Sequence, residues 1–293
     1  MEIYKILEIA MSELFALEGR PIDVVNITKP YSLDYAKQLS KVISKLSPLI
    51  GNMIEFATVD LLNTYDWGGY GKWIRQDPGF PDALFESDSI IPNPGIEIKA
   101  WFPFATEITA RFKDSVTMFG KNNIDVALIA WLPEYVIWGK PQIIDVLLVS
   151  GKSVAAARDN HYHNPPDYIV FEPEDTSART SNLQQTNTNG YKFQVDKSDI
   201  EEARQIVGNW GADAKLYSAA KEYQDKLKSL LGQFTYRLDT NYAKIDRIEH
   251  QGIEKFKTGV LSRQFHGKTI SQWSAALSSK SDNIIESALS SLL

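Results

Sequence analysis

Three stretches of the sequence are apolar almost throughout: GIEIKAWF at residues 95–102, DVALIAWL at 125–132 and IIDVLLVS at 143–150. Each is rich in the β-branched and aromatic residues that favour strands. Strands that are covered by helices on both faces have this composition. The sequence therefore predicts an α/β fold with a central mixed β-sheet flanked by helices.

The remaining apolar periodicity places helices around these strands. Three N-terminal segments, residues 2–17, 33–46 and 50–63, have helical spacing, and residues 106–119 predict a further helix between the first two apolar runs. Shorter strands are predicted at residues 83–86 and 168–171. Residues 65–81, which include DWGGYGKWIRQDPGF, are rich in Gly, Trp and Pro and predict a loop.

The second half of the chain differs in composition. Residues 172–189, EPEDTSARTSNLQQTNTN, are polar and too long for an ordinary connection within a compact domain. We expect this segment either to be disordered or to have a function. Helical spacing then returns at residues 200–207, 212–231, 242–261 and 270–292, so the C-terminal region is predicted to be helical.

Composition excludes several classes of site. The chain has no cysteine, which rules out disulfides, thiolate metal sites and cysteine nucleophiles and favours a reducing compartment. We find no signal-peptide pattern and no apolar run long enough to cross a bilayer, so we expect a cytoplasmic protein without membrane contact. The net charge of −6 lowers the expectation of a nucleic-acid partner without excluding it, because binding depends on local basic surface.

The segment PDALFESDSIIPNPGIEIKAWF carries charges that a buried strand does not explain. Asp82 begins one predicted strand, and Glu97 and Lys99 share a face of the next, since side chains two residues apart lie on the same side of a strand. Two carboxylates suit Mg²⁺, which takes oxygen ligands, and the lysine adds a positive charge beside the metal. Such a set can activate water and offset the charge that develops during phosphodiester hydrolysis. The hairpin is therefore a candidate site for cutting a nucleic-acid backbone.

Pro81-Asp82 followed by Glu97-Ile98-Lys99 resembles the signature of the PD-(D/E)XK nucleases, especially the type II restriction endonucleases. The resemblance covers roughly residues 50–150 and implies a sheet of the restriction-endonuclease-like type. It also implies that Asp82 and Glu97 ligate Mg²⁺ and that Lys99 assists the attacking water, so that these three residues are catalytic. A glutamate on a preceding helix often completes such sites, and Glu55 in GNMIE is similar to it, which makes Glu55 a candidate third metal ligand.

Short motifs also recur by chance. The triplet of an acid, any residue and lysine occurs again as DAK at residues 213–215, and Pro-Asp occurs again at residues 166–167. These two lie far apart, whereas Asp82 and Glu97 lie on adjacent predicted strands joined by a turn. The alternative for the hairpin charges is a solvated edge strand with a surface salt bridge, and for Glu55 it is an exposed helix glutamate.

Two regions are candidates for DNA contact. The polar segment at residues 178–192 is dense in side chains that donate and accept hydrogen bonds, as base edges and phosphates require. The alternative for this segment is a mobile polar loop. The residues that we predict to bind DNA are Arg179, Thr180, Asn182, Gln184, Gln185, Asn187, Asn189 and Lys192 and, on or beside the helix after the motif strand, Arg111 and Lys113.

These features predict a Mg²⁺-dependent type II restriction endonuclease that hydrolyses double-stranded DNA at a short specific sequence. A two-fold homodimer would present one site to each strand of a palindromic target. Residues 1–200 would form the endonuclease-like catalytic core with the N-terminal helices and the polar loop, and residues 201–293 a helical region packed on the core or forming the dimer interface. The alternatives are a MutH-like repair endonuclease that nicks one strand, a non-catalytic DNA-binding protein, and a phosphatase or nucleotidase.

Overall fold

A computed structural model gives the fold and describes residues 2–104, 123–163, 169–173, 191–195 and 248–293, together with residues 205 and 222. The chain forms two compact units. The first consists of Met1–Thr109, Ser115–Ala155 and His250–Leu293, and the second of Ala110–Asp114 and Ala156–Glu249. The domain boundary predicted at residue 200 lies outside the described residues.

The three predicted N-terminal helices are present in the first unit as α1 (Ile3–Leu14), α2 (Leu33–Val42) and α3 (Ser47–Leu62). Ser32 caps α2, because its side chain accepts a hydrogen bond from the N–H of Tyr35 at 3.2 Å. Pro48 lies in the first turn of α3. Backbone N–H groups there have no acceptor within the helix, so the N–H that proline lacks is not needed. A short 3₁₀ turn follows both α1 and α2, which accounts for the longer predicted segments.

A five-stranded mixed sheet follows these helices and confirms the predicted α/β class. Its strands lie side by side in sequence order: β1 (Lys72–Arg75), β2 (Ala83–Glu86), β3 (Gly95–Trp101), β4 (Ile124–Pro133) and β5 (Pro141–Ser150). The β1–β2, β2–β3 and β4–β5 pairs are antiparallel, whereas β3 and β4 are parallel. A parallel pair needs a crossover connection, and the helix predicted there, over residues 106–119, lies outside the described residues.

Two elements in or directly after the main sheet differ from the predictions. β1 lies within residues 65–81, so the predicted loop is wrong over KWIR, where glycines and prolines on both sides obscure a short edge strand. This strand pairs with β2 and buries Trp73 against Phe85. Helix α4 (Gly151–His163) follows β5 directly and is not predicted, because GKSVAAARDNHYH has little apolar periodicity and lies just before two prolines.

The described strands of the second unit are β6 (Ile169–Pro173) and β7 (Tyr191–Val195), which form a parallel two-stranded sheet. β6 confirms the strand predicted at residues 168–171, whereas β7 is not predicted. Residues 174–190, which contain most of the polar segment, lie outside the described residues. The helices predicted at residues 200–207 and 212–231 also lie outside them, apart from residues 205 and 222.

The C-terminal residues of the first unit contain helices, as predicted. They form α5 (Gln251–Ser262), a small hairpin of β8 (Gln264–Phe265) and β9 (Lys268–Thr269), α6 (Ile270–Leu277) and α7 (Asp282–Ser290). The single helix predicted over residues 270–292 is wrong, because SSKS at residues 278–281 separates α6 from α7. Four apolar side chains of this region are buried within the chain itself, Ile270, Trp273, Ile285 and Leu289, whereas Ile284 is 52% exposed. Of the helices that the structure describes, none is both long and apolar enough to cross a membrane.

Helices cover both faces of the main sheet, as its apolar strands predict. α3 packs against β1 and β3, where a Cβ atom on Gly51 would lie 3.7 Å from that of Ala100. Trp101 faces the opposite way from Ala100, because successive strand side chains alternate. It contacts Phe256 of α5 with ring centroids 6.0 Å apart. β4, between β3 and β5, is completely buried over residues 126–132.

Candidate functional site

β2 and β3 separate where the predicted acidic residues lie. The two strands pair only as far as Ile96, and β3 then continues to its end without β2 beside it. The N–H of Ile98, on this unpaired stretch, donates to Oδ2 of Asp82 at 2.6 Å. We call this divergence, with the side chains of Asp82, Glu97 and Lys99, the notch.

Two contacts fix the position of Asp82. Its backbone carbonyl accepts a hydrogen bond from the N–H of Gln76 at 2.9 Å. Pro81 lies so close to Gly95 that a Cβ atom on residue 95 would be 2.2 Å from Cγ of the proline ring. Only glycine fits at this position, and its small size holds the Pro-Asp pair against the start of β3.

Lys99 links the two predicted carboxylate ligands. Its Nζ donates to Oε1 of Glu97 at 2.5 Å, to the carbonyl of Ile98 at 3.0 Å and to Oδ2 of Asp82 at 3.4 Å. The exposed fraction of the side chain is 19% for Lys99, 18% for Asp82 and 11% for Glu97. These charges are mostly buried on an interior strand, which is not the geometry of a solvated edge. The structure thus brings the three predicted catalytic residues together.

One oxygen of this cluster has no partner. Oε2 of Glu97 is buried and makes no hydrogen bond to any described residue, although buried polar atoms are nearly always satisfied. The N–H of Asp82 also acts on the Glu97 carboxylate and opposes the rise in its pKa that burial causes. A buried carboxylate oxygen that no described donor reaches can act as a ligand for a cation.

The protonation of the notch follows from burial and from its own charges. Burial raises the pKa of Glu97, while the charge of Lys99 opposes this shift and the charge of Asp82 adds to it. For Lys99, burial acts to lower the pKa, but the charges and hydrogen bonds of the two carboxylates outweigh burial and raise it. Lys99 therefore remains a protonated donor at neutral pH.

The carboxylate oxygens of the notch fit a divalent cation. Mg²⁺ prefers oxygen ligands and keeps several waters. Oε2 of Glu97 and Oδ1 of Asp82 receive no hydrogen bond from a described group, so both are open to such an ion. Within the described part of the chain, no three His, Asp or Glu side chains lie close enough together to hold a metal. Direct coordination would then come from Asp82 and Glu97.

Glu55, the third predicted ligand, is paired with Arg75. It lies on α3 one turn after Gly51, on the side that faces the sheet. Arg75, the last residue of β1, donates from Nε to Oε2 of Glu55 at 2.9 Å, and its Nη2 forms an ion pair with the same oxygen at 2.8 Å. Burial raises the pKa of Glu55, the hydrogen bond from Arg75 opposes this, and the charge of Asp82 adds to it. Glu55 is thus within electrostatic reach of the notch, and its role as a ligand stays a prediction.

Arg75 is the residue near the site that the sequence analysis misses. It falls in the segment predicted as a loop, where one arginine among glycines and prolines carries no signal. The pair Trp73-Ile74, two residue types that favour strands, was the available indication of a strand. That strand places Arg75 opposite Ala83, the neighbour of Asp82.

The predicted DNA-binding side chains lie outside what the structure describes. Lys192 belongs to β7, of which only the backbone is described. The role of all the predicted residues in DNA binding stays a prediction. The others fall outside the described residues altogether: Arg111, Lys113, Arg179, Thr180, Asn182, Gln184, Gln185, Asn187 and Asn189.

Comparison with known proteins adds nothing to this geometry. The chain matches no protein-family model, no curated protein and no solved structure. Its function must then be inferred from the notch itself.

Proposed function

We propose that the protein is a Mg²⁺-dependent type II restriction endonuclease, which hydrolyses phosphodiester bonds of double-stranded DNA at a short specific sequence. The notch carries this proposal: the buried ammonium of Lys99 lies between the carboxylates of Asp82 and Glu97, and Oε2 of Glu97 has no donor among the described residues. The five-stranded mixed sheet is compatible with the restriction-endonuclease-like architecture that the PD-(D/E)XK resemblance implies.

Asp82 and Glu97 would hold the Mg²⁺ ion. Asp82 uses Oδ2 for the N–H of Ile98, which leaves Oδ1 for the metal, and Glu97 offers Oε2. The bound ion lowers the pKa of a coordinated water and offsets charge on the phosphate. Backbone and lysine contacts already orient both carboxylates. These side chains would therefore lose little conformational entropy when the ion binds, and binding would be tighter for that reason.

Lys99 acts as a hydrogen-bond donor. Its raised pKa keeps the amine protonated, so it does not take a proton from water. Its ammonium orients the attacking water and stabilises the negative charge that develops on the phosphate. In the proposed hydrolysis the water oxygen bonds to phosphorus and releases a proton to solvent. The bond from phosphorus to the leaving oxygen breaks, and that oxygen takes up a proton.

The proposed partner is duplex DNA, and the proposed assembly is a homodimer. A palindromic site has two-fold symmetry, so a two-fold dimer would place one notch on each strand. The polar segment at residues 178–192 would supply contacts to bases and phosphates, because its amide and guanidinium groups match the donors and acceptors of the major groove.

The test is digestion of an unmethylated bacteriophage genome by the purified chain in Mg²⁺, with EDTA and Lys99→Ala as negative controls. Lys140→Ala is the matched control, because Lys140 also pairs with an aspartate, Asp23, but both side chains are exposed. We expect discrete DNA fragments that disappear with EDTA and with Lys99→Ala and that persist with Lys140→Ala.

Other outcomes would revise the proposal in defined ways. Fragments that persist in EDTA or with Lys99→Ala would contradict the proposed chemistry. A smear would retain the nuclease but remove the sequence specificity, and nicks without double-strand breaks would favour the MutH-like enzyme. Uncut DNA across several unmethylated genomes would contradict the nuclease and favour a non-catalytic DNA-binding protein.

A further inference from the structure

His250 directly precedes α5 and caps it with its ring. Its Nδ1 accepts a hydrogen bond from the N–H of Ile253 at 3.3 Å. Helices are more often capped by Ser, Thr, Asp or Asn, whose oxygens still accept a hydrogen bond in mildly acidic solution. A histidine nitrogen accepts only when it carries no proton. The cap of α5 therefore depends on the protonation of His250.

The second ring nitrogen of His250 contacts α4. Nε2 lies 2.9 Å from Oγ of Ser153, and the Ser153 hydroxyl donates to the carbonyl of Ser150 at 2.7 Å. Because the hydroxyl proton is directed at that carbonyl, the hydroxyl oxygen accepts from Nε2. Both ring contacts thus require the same neutral form of His250, in which Nε2 carries the proton and Nδ1 carries none.

Protonation of His250 would weaken the cap in two ways. A proton on Nδ1 removes the acceptor and directs an N–H at the N–H of Ile253. The imidazolium also places a positive charge at the N-terminus of a helix, where the helix dipole disfavours cations. Burial lowers the pKa of His250 from its ordinary 6.5, and a contact with its own backbone opposes this. The cap is therefore complete above pH 6.5, and its contribution to stability is lost as the pH falls below that value.

Other charged groups lie on the elements around the ring. Three of them are exposed side chains: Lys152, Glu249 and Glu254. The fourth, Asp125 of β4, lies near the start of α4, where the N–H of Gly151 acts on it. Burial raises the pKa of Asp125 to about 6, so it titrates in the range where histidine also titrates. A response to pH must therefore be assigned to His250 by substitution and not by its midpoint alone.

His250 and Ser153 lie where the chain passes between the two compact units. The chain leaves the first unit after Ala155 and returns to it at His250. Ser153 stands just before the departure and His250 at the return, so their hydrogen bond joins these two segments within the first unit. Loss of the contact would free both segments together.

We propose that His250 is a pH-dependent clasp, which as a neutral ring caps α5 and holds Ser153 and which on protonation releases both. The release is local, because the middle of α5 stays attached to the sheet through the contact of Phe256 with Trp101. It loosens the segments that connect the two units. The clasp needs neither a metal nor DNA, so its test is independent of the proposed nuclease activity.

The first measurement is NMR of the full chain with ¹⁵N-labelled histidine, from about pH 8 to about pH 5. The chain has four histidines, and the signals of His250 are those that disappear in His250→Asn. At neutral pH we expect the proton on Nε2 and none on Nδ1, and we expect both nitrogens to be protonated below a midpoint that is lower than 6.5. A proton on Nδ1 at neutral pH would overturn the clasp.

Hydrogen exchange then measures the release. In wild type, exchange of the backbone amides at residues 250–256, corrected for the intrinsic effect of pH, should be about fivefold faster near pH 5 than near pH 7.5, the typical effect of losing a helix cap. His250→Asn supplies a cap that does not titrate, so its exchange should be slow at both pH values. Equal exchange of wild type at the two pH values would contradict the clasp.

His266→Asn is the matched control. His266 is exposed, its Nε2 also contacts an oxygen, the carbonyl of Glu134, at 2.7 Å, and its φ of 46° suits asparagine. This variant should respond to pH as wild type does. If His250→Asn keeps the wild-type response, or if His266→Asn loses it, the response does not come from His250 and the clasp is wrong. Circular dichroism confirms that each variant is folded.

Discussion

Several cations of the described residues each pair with two carboxylates, and two of these clusters differ in a way that bears on function. One is the notch. The other, which we call the Arg263 triad, joins the residue after α5 to Asp145 of β5 and to Glu18: Nη2 of Arg263 lies 2.7 Å from Oδ2 of Asp145, and Nη1 lies 2.5 Å from Oε1 of Glu18. Nη1 also donates to the carbonyl of Ile144 at 2.6 Å, and Oδ1 of Asp145 accepts from the N–H of Val146 at 2.8 Å.

The two clusters differ in exposure and in hydrogen bonding. The Arg263 side chain is 39% exposed and both oxygens of its aspartate are satisfied. Lys99 is 19% exposed, and Oε2 of Glu97 is buried without a donor. A satisfied cluster near solvent contributes to folding and has little left to bind. A buried cluster with an unpaired oxygen reduces stability and retains the capacity to take a ligand.

The largest expected effect comes from removing one acid of each cluster in turn. Glu97→Gln should lower the rate of DNA cleavage by at least about 100-fold, because the notch loses a ligand and a charge. Asp145→Asn should leave the rate within about twofold, because both oxygens of Asp145 already accept hydrogen bonds, from Val146 and from Arg263, and leave nothing for an ion. Initial cleavage rates at saturating Mg²⁺ measure both, and equal losses in the two variants would remove the distinction between the clusters.

A second prediction disturbs the notch without changing any charge. Gly95→Ala should lower the free energy of unfolding by about 1 to 3 kcal/mol, because the new methyl group overlaps the ring of Pro81. It should also lower cleavage, since Pro81 carries Asp82. The matched control is Gly259→Ala in α5, where a methyl group meets no described atom within 4 Å and should stabilise the helix by up to about 1 kcal/mol. Urea unfolding measures both, and equal shifts would contradict the close approach.

The third prediction removes each cation. Arg263→Met should lower the free energy of unfolding by about 1 kcal/mol at any Ca²⁺ concentration. Lys99→Met leaves two buried carboxylates without their ammonium, so Ca²⁺ should raise its Tm more than it raises that of wild type. Thermal unfolding with Ca²⁺ or EDTA measures this. A Ca²⁺ response of Arg263→Met larger than that of Lys99→Met would contradict the assignment of the ligand site.

The last prediction concerns stability alone, at a buried acid with no cation among the described residues. Burial raises the pKa of Asp125 to about 6 from an ordinary 3.8, and the N–H of Gly151 opposes this. Because the folded pKa exceeds the unfolded one, ionisation costs stability: the cost is absent below pH 3.8 and complete above pH 6. Asp125→Asn should match wild type near pH 3.8 and exceed it above pH 6 by on the order of 1 to 3 kcal/mol. The exposed Asp88→Asn should show no such dependence in urea unfolding across this pH range.

The central strands were predictable because their composition fits only strands that are buried on both faces. GIEIKAWF, DVALIAWL and IIDVLLVS are apolar enough to require cover on both faces, and they became β3, β4 and β5. The edge strand β1 was harder to predict from the sequence. β1 has four residues and depends for its order on pairing with β2 and on the burial of Trp73, which are contacts distant in sequence. Local composition there indicated a loop.

At the candidate site, too, features that depend on contacts distant in sequence could not be predicted. Spacing on two predicted strands was enough to bring Asp82 and Glu97 together with Lys99. The unpaired Oε2 of Glu97 could not be predicted, because it depends on which donors the fold places nearby. The partner of Glu55 was missed for a related reason, since Arg75 approaches α3 only through the unpredicted strand β1.

Lys99 gives the notch a tethered counter-ion. Many metal sites assemble only when the ion arrives, because their bare ligands repel one another, and such proteins unfold in chelator. Here two acids share a cation that the chain itself provides. Purification and storage in chelator should therefore leave the protein folded. Adding the ion alone should then start the proposed hydrolysis, because no refolding step separates the metal-free protein from the metal-bound one.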